Sequence, residues 1–148
     1  MATYTQQELF NIFKLHKKWI NEEIGGVRAN LSGADLRYAD LRGVDLSVVN
    51  LRGSDLRDSC LFGANLFGAD LSYADLSGAD LSDAWLNDTW LSNTNLSNTN
   101  LTNTNLTDIC LWDFIKNNWT QTTPIISKCS NLNAGKVFKV KKTGKIGL

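Results

Sequence analysis

From Leu31 to Leu111 a leucine stands at every fifth position without a miss, seventeen in all. In most repeats the residue two before it is small, and the one directly before it is Asp or Asn. A period of five fits neither the 3.6-residue turn of a helix nor the two-residue pleat of a flat strand. The chain must therefore turn a corner once per repeat, with Leu and the small residue pointing inward. A stack built this way exposes backbone only at its two ends, and those ends need caps.

The run begins Ala29-Asn30-Leu31-Ser32-Gly33, Ala34-Asp35-Leu36-Arg37-Tyr38, Ala39-Asp40-Leu41-Arg42-Gly43 and continues to Ile109-Cys110-Leu111-Trp112-Asp113. It resembles the pentapeptide-repeat family, A(D/N)LXX, over 85 of 148 residues, and the unbroken phase makes the resemblance specific. The resemblance implies an all-β solenoid, a right-handed quadrilateral β-helix in which four pentapeptides form one coil. Residues 29–113 then make a little over four coils, about 20 Å long at roughly 4.8 Å per coil. Each coil closes around four leucines, with Ala, Ser, Val or Thr in the corners.

Residues 1–28 read as an N-terminal capping helix. Thr5-Gln6-Gln7-Glu8 has capping-box spacing, Leu9, Ile12, Phe13 and Ile20 share one face, and Gly25-Gly26 is the expected stop. Residues 114–148 leave the leucine ladder as a basic C-terminal tail or cap. Ile125-Ile126-Ser127, Val137-Phe138-Lys139-Val140 and Lys145-Ile146-Gly147-Leu148, with turn signals at Asn133-Ala134-Gly135 and Thr143-Gly144, predict a short antiparallel β meander.

No apolar run approaches the roughly 20 residues that cross a bilayer, and the N-terminus has no hydrophobic signal region. The expected setting is cytoplasmic, in a host cell or a virion assembled there, with no membrane association. Cys60 and Cys110 stand two and a half coils apart, on opposite faces, so a disulfide between them is excluded. Three cysteines, the third being Cys129, fit a reducing compartment.

The net charge is zero but unevenly laid out. Residues 1–28 carry +1, residues 29–113 carry −8 and residues 114–148 carry +7. Between residues 59 and 113 there is no Lys or Arg, and Asp70, Asp75, Asp80, Asp83 and Asp88 define an acidic face. Stacking at a twenty-residue interval puts Asp35, Asp55 and Asp75 in one column, followed by Asn95. At about 5 Å each neighbouring like pair costs roughly 0.8 kcal/mol in water. Arg37 and Arg57 on the same face offset the first two. From Asn93 onward Asn and Thr replace the carboxylates, as uncharged amide ladders require.

Apolar groups also stand where the repeat expects solvent. Phe62 and Phe67 follow Leu on consecutive faces of one coil, and Trp85 lies one coil on, beside the stack position of Phe67, with Val48 on that face too. Trp90 and Trp112 interrupt the adjacent face. Such groups suit either a partner or the chain's own C-terminal segment folding back.

Catalytic constellations are missing from the pattern. His16, the only histidine, reads as a helix-face residue beside Lys17 and Lys18 rather than a general base. No zinc site can be drawn with one His and dispersed cysteines, the regularly spaced Asp residues have no distinct environments, and Gly25-Gly26 lacks the Lys and Ser or Thr of a phosphate loop. The expectation is a protein without enzymatic activity or cofactor. The first reading is a protein-interaction or structural module, binding a host or viral protein through Phe62, Phe67, Trp85 and Val48. Residues 16–31, from His16-Lys17-Lys18-Trp19 to Ala29-Asn30-Leu31, resemble the lead-in of pentapeptide proteins encoded by phages and prophages. That resemblance implies a phage accessory or virion-associated protein. The second reading is DNA mimicry: some members of the family bind, inhibit or protect DNA gyrase through an acidic rod. Against it, this chain has barely four coils, no loop insertion and a basic tail. Direct nucleic-acid binding by Lys136, Lys139, Lys141, Lys142 and Lys145 is disfavoured, since lysines commonly guard exposed strand edges. Association of copies through the terminal coil or the C-terminal strands is a further expectation.

Overall fold

The computed structural model describes residues 1–108. Its elements are a two-residue strand β1 (Ala2–Thr3), a helix α1 (Gln6–Ile20) and a two-residue strand β2 (Ala34–Asp35), followed by a regular series of single β-bridges. Each bridge joins a residue to the one twenty positions later, from Asn30 with Asn50 to Trp85 with Asn105, and every one is parallel. The chain therefore advances one layer per four repeats, and each layer contributes four leucines to the axis. Leu41 through Leu86 are completely buried, with Ala64, Ala69, Ala79 and Ala84 between them. Each buried Leu contributes roughly 1.5–3 kcal/mol of transfer free energy.

Why the chain turns every five residues is visible in three recurring contacts. The Leu N–H donates to the carbonyl nineteen residues on, as Leu66 does to Trp85 O at 2.7 Å. The next inward residue donates back to the Leu carbonyl, as Ala69 does to Leu66 O at 3.0 Å, closing a tight turn. The residue two after each Leu has positive φ, without exception from Gly33 to Asp108. Gly, Asn and Asp dominate that position because they tolerate the left-handed region. Val48, at φ 53, is the costliest exception, since a β-branched side chain crowds there.

Asp or Asn before each Leu has a local task as well. Its Oδ1 accepts the N–H two residues on, as in Asp35 with Arg37, Asp70 with Ser72 and Asn105 with Thr107. Asp35, Asp55, Asp75 and Asn95 do form one column. Arg37 holds Asp35 at 2.7 Å and reaches Asp55 at 3.7 Å, Arg57 holds Asp55 at 2.6 Å, and Asp75 accepts from the Asn95 amide at 3.0 Å. The amides above Asn93 thus donate to carboxylates one coil below, as Asn100 does to Asp80.

The N-terminal helix substitutes for a missing coil. Thr5 and Glu8 complete the capping box, with Glu8 N–H on Thr5 Oγ1 and Thr5 N–H on Glu8 Oε2. Leu9 is buried in the core, and Tyr4, Ile12 and Phe13 pack against it. Strand β1 pairs in parallel with β2, Thr3 opposite Asp35, and so extends the Asp column by one rung. Carbonyls that would face a lower coil receive side chains instead: Gln6 Nε2 donates to Asp40 O at 3.0 Å and His16 Nε2 to Ser47 O at 2.8 Å.

His16, read from the sequence as a helix-face residue beside Lys17 and Lys18, lies on the inward face of the helix. It is fully buried, its Nδ1 accepts the Ala29 N–H at 3.1 Å, and its ring stacks on Trp19 at 5.6 Å. With Nδ1 accepting and Nε2 donating, the ring is the neutral Nε2–H tautomer. One correction concerns the helix end. The helix stops at the Asn21 cap, with Glu22 left-handed, before the glycine pair is reached. Gly26 is needed for a different reason: a Cβ there would run into the Trp19 backbone.

Candidate functional site

Among the described residues thirteen Oδ1 contacts of the kind just described show what the position before Leu does, and Trp85 and Trp90 occupy it without being able to do it. An indole has no acceptor, so each forgoes a hydrogen bond worth about 0.5–1.5 kcal/mol. Neither tryptophan gains burial in exchange: Trp85 is 61% and Trp90 65% exposed. Two large apolar surfaces therefore stand in water at positions where the fold prefers Asp or Asn.

Their neighbours enlarge them. Trp85 is bridged to Asn65 below and Asn105 above, on the side that carries Phe67, which is 46% exposed. Phe62 is 47% exposed on the preceding side, and Val48, half-buried, lies at the foot of the Phe67 side beneath Gly68. The sequence-derived set of Phe62, Phe67, Trp85 and Val48 thus spans two adjacent sides. Trp90 heads the following side, whose next coil down carries exposed Tyr73 with the Arg52 guanidinium 4.4 Å over its ring. Tyr73 and Arg52 escaped the sequence reading, although their positions after Leu71 and Leu51 mark both as outward.

Acidic groups divide by height. In the lower coils Asp35, Asp40 and Asp55 each hold an Arg. Hydrogen bonds from Arg37 and Arg42 lower Asp35 and Asp40, each to about 2. Higher up no Lys or Arg is present between residues 59 and 108. Asp70, Asp75 and Asp80 are half-buried and bound to Ser72, Ser77 and Ser82. The Ser82 hydroxyl in particular holds Asp80 below the ordinary carboxylate range, so the group stays ionised. Asp83 and Asp88 project from exposed left-handed corners. Lys136, Lys139, Lys141, Lys142 and Lys145, like Trp112, Cys110, Cys129 and the expected C-terminal β cap, lie outside the described residues.

Among the described residues no three His, Cys, Asp or Glu side chains are grouped to hold a metal ion, and no helix is long and apolar enough to cross a membrane. Cys60 is a free, half-exposed thiol in the column of Asp40 and Asp80.

The pentapeptide-repeats family model matches residues 29–66, 63–88 and 79–112. This chain belongs to the pentapeptide-repeat family. Its solved relatives include a pentapeptide repeat protein of Nostoc Pcc 7120, 33% identical over 71% of this chain and 77% of that one, with a TM-score of 0.59. Another is a pentapeptide repeat protein of the Arabidopsis thaliana thylakoid lumen, 36% identical over 55% of this chain and 57% of that one, with a TM-score of 0.53. This chain therefore spans little more than half the length of the Arabidopsis protein. No curated protein sequence matches it. Pentapeptide-repeat neighbours are right-handed quadrilateral β-helices, and the family consists in general of structural and interaction modules rather than enzymes.

Proposed function

We propose that this pentapeptide-repeat protein is a non-enzymatic binding module that grips another protein through the side carrying Phe67 and Trp85. The observation that carries the reading is the pair of exposed tryptophans at positions where Asp or Asn serves the fold. Aromatic side chains are the commonest anchors of protein interfaces, and a flat, rigid β-helix side presents them without ordering cost. The carboxylates of the upper coils, Asp80, Asp83 and Asp88, which form no salt bridge among the described residues, give such a partner an acidic rim to meet with basic residues. The resemblance of residues 16–31 to phage and prophage lead-in sequences supports a partner among host or viral proteins, met in the cytoplasm or a virion.

The experiment is affinity capture from infected and uninfected host lysate, with captured proteins identified by mass spectrometry. The parent and a Phe67→Ser, Trp85→Ser double variant are run side by side. Loss of one captured protein with an unchanged melting curve supports the reading; equal capture by both overturns it.

A second reading rests on the charge gradient, by which the salt bridges among the described residues all fall on Asp35, Asp40 and Asp55 and none on an Asp above residue 58. In that reading the acidic face mimics nucleic acid and engages DNA gyrase. Recovery of gyrase subunits, released by salt and lost in an Asp80→Asn, Asp83→Asn, Asp88→Asn variant but not in the aromatic one, would favour it.

A further inference from the structure

We propose that the face bearing Phe62, Phe67 and Trp85 is a docking site for the protein's own lysine-rich segment, residues 136–145, which competes there with the outside partner. The inference rests on the reading of this face as a binding surface. It adds the identity of an internal occupant.

Charge complementarity carries the argument. On the two sides that hold Phe62 and Phe67, the described cations are Arg42, committed to Asp40 at 2.6 Å, and Arg28, whose Nε donates to the Val48 carbonyl at 2.8 Å, both at the foot of the stack. Above them the same sides present Asp80, Asp83, Asp88 and Asp108 and no positive charge. Residues 136–145 read Lys-Val-Phe-Lys-Val-Lys-Lys-Thr-Gly-Lys, with five lysines, no acid and three apolar side chains. Four carboxylates around three exposed aromatic rings meet five ammonium groups around Val137, Phe138 and Val140. No other stretch of the chain combines that charge with that apolar content.

Reach and concentration agree. Asp108, the last described residue, lies in the Val48, Gly68 and Asp88 column, at the corner of the Phe67 side. Residues 109–135 separate it from the segment, and at a maximal extension of about 3.3–3.6 Å per residue that length of chain exceeds the distance down the stack. A tethered ligand acts at an effective concentration far above that of a free partner. An outside protein then has to displace the segment.

The test uses the full-length protein at low micromolar concentration and a carbodiimide, which joins a lysine amine to a carboxylate without a spacer. Monomer and dimer bands are separated and the linked peptides read by mass spectrometry. The expected result is monomer-band links from Lys139, Lys141 or Lys142 to Asp80, Asp83, Asp88 or Asp108. Raising salt from 50 to 500 mM reduces them at least fivefold, and Phe67→Ser with Trp85→Ser reduces them further. Absence of such links, or their confinement to the dimer band, overturns intrachain docking. The two claims fail separately. Absent links with partner capture still sensitive to the aromatic substitutions sink only the internal occupant; intact links with insensitive capture sink only the outside partner.

Discussion

Replacing His16 by Leu removes two hydrogen bonds at the base of the stack while nearly preserving side-chain volume. Both lost partners are backbone groups of buried residues, the Ser47 carbonyl and the Ala29 N–H. Leaving each without a partner costs about 1–3 kcal/mol, so the variant should lose about 2–6 kcal/mol. For a domain of this size that is a fall of roughly 8–24 °C in melting temperature, at about 4 °C per kcal/mol. Repeat stacks lose structure neighbour by neighbour, so amide exchange should rise first at Leu31, Leu36 and the residues bridged above them. Circular dichroism melts and hydrogen exchange by mass spectrometry read both effects. His16→Gln, with one donor and one acceptor, should recover part of the loss. A His16→Leu protein that melts within about 2 °C of the parent would refute the idea that His16 replaces a coil.

Three other perturbations follow from local geometry. Gly26→Ala places a methyl group against the Trp19 backbone and should cost at least 1–3 kcal/mol, about what overpacking costs elsewhere; an unchanged melt would contradict that contact. Val48→Asn relieves a β-branched residue at φ 53 and should raise stability by up to about 1 kcal/mol, whereas a lower melting temperature would show that packing beneath Gly68 outweighs the strain. Asp35 and Asp40 fall from 3.8 unfolded to about 2 folded, so the stability they contribute is full above pH 4 and is lost as pH falls toward 2. Stability measured between those limits should therefore drop less in an Arg37→Ala, Arg42→Ala variant than in the parent, and an equal drop would assign the acid sensitivity to other groups.

The leucine ladder was legible because burial acts on every fifth residue alike, and each Leu from 31 to 106 lies inside. The Asp35, Asp55 and Asp75 column and its arginines were legible for the same reason, since a fixed period turns sequence distance into vertical distance. His16 was not. Its role depends on which carbonyls a missing coil would have faced, and that is known only once Ser47 and Ala29 are placed at the stack's lower end. The left-handed position after each repeat left its trace in Gly33, Gly43, Gly53, Asn93 and Asn98, but leucine spacing alone does not disclose a φ angle. At the candidate site, Phe62, Phe67 and Trp85 were found because they break a period. The deeper oddity of Trp85 and Trp90, which displace an acceptor the turn uses, needed the hydrogen bonds.

Leu66 and Phe67 are adjacent in sequence, and one lies at the axis of the stack while the other faces water. Thermal unfolding of Leu66→Asp and Phe67→Ser, measured together by circular dichroism, tests the division between an inner ladder that specifies the fold and an outer surface free for function. An unpaired carboxylate at position 66 costs several kcal/mol and should abolish the cooperative transition, while Phe67→Ser should melt within about 2 °C of the parent. A cooperative, parent-like melt of Leu66→Asp, or a collapse of Phe67→Ser, would contradict that division.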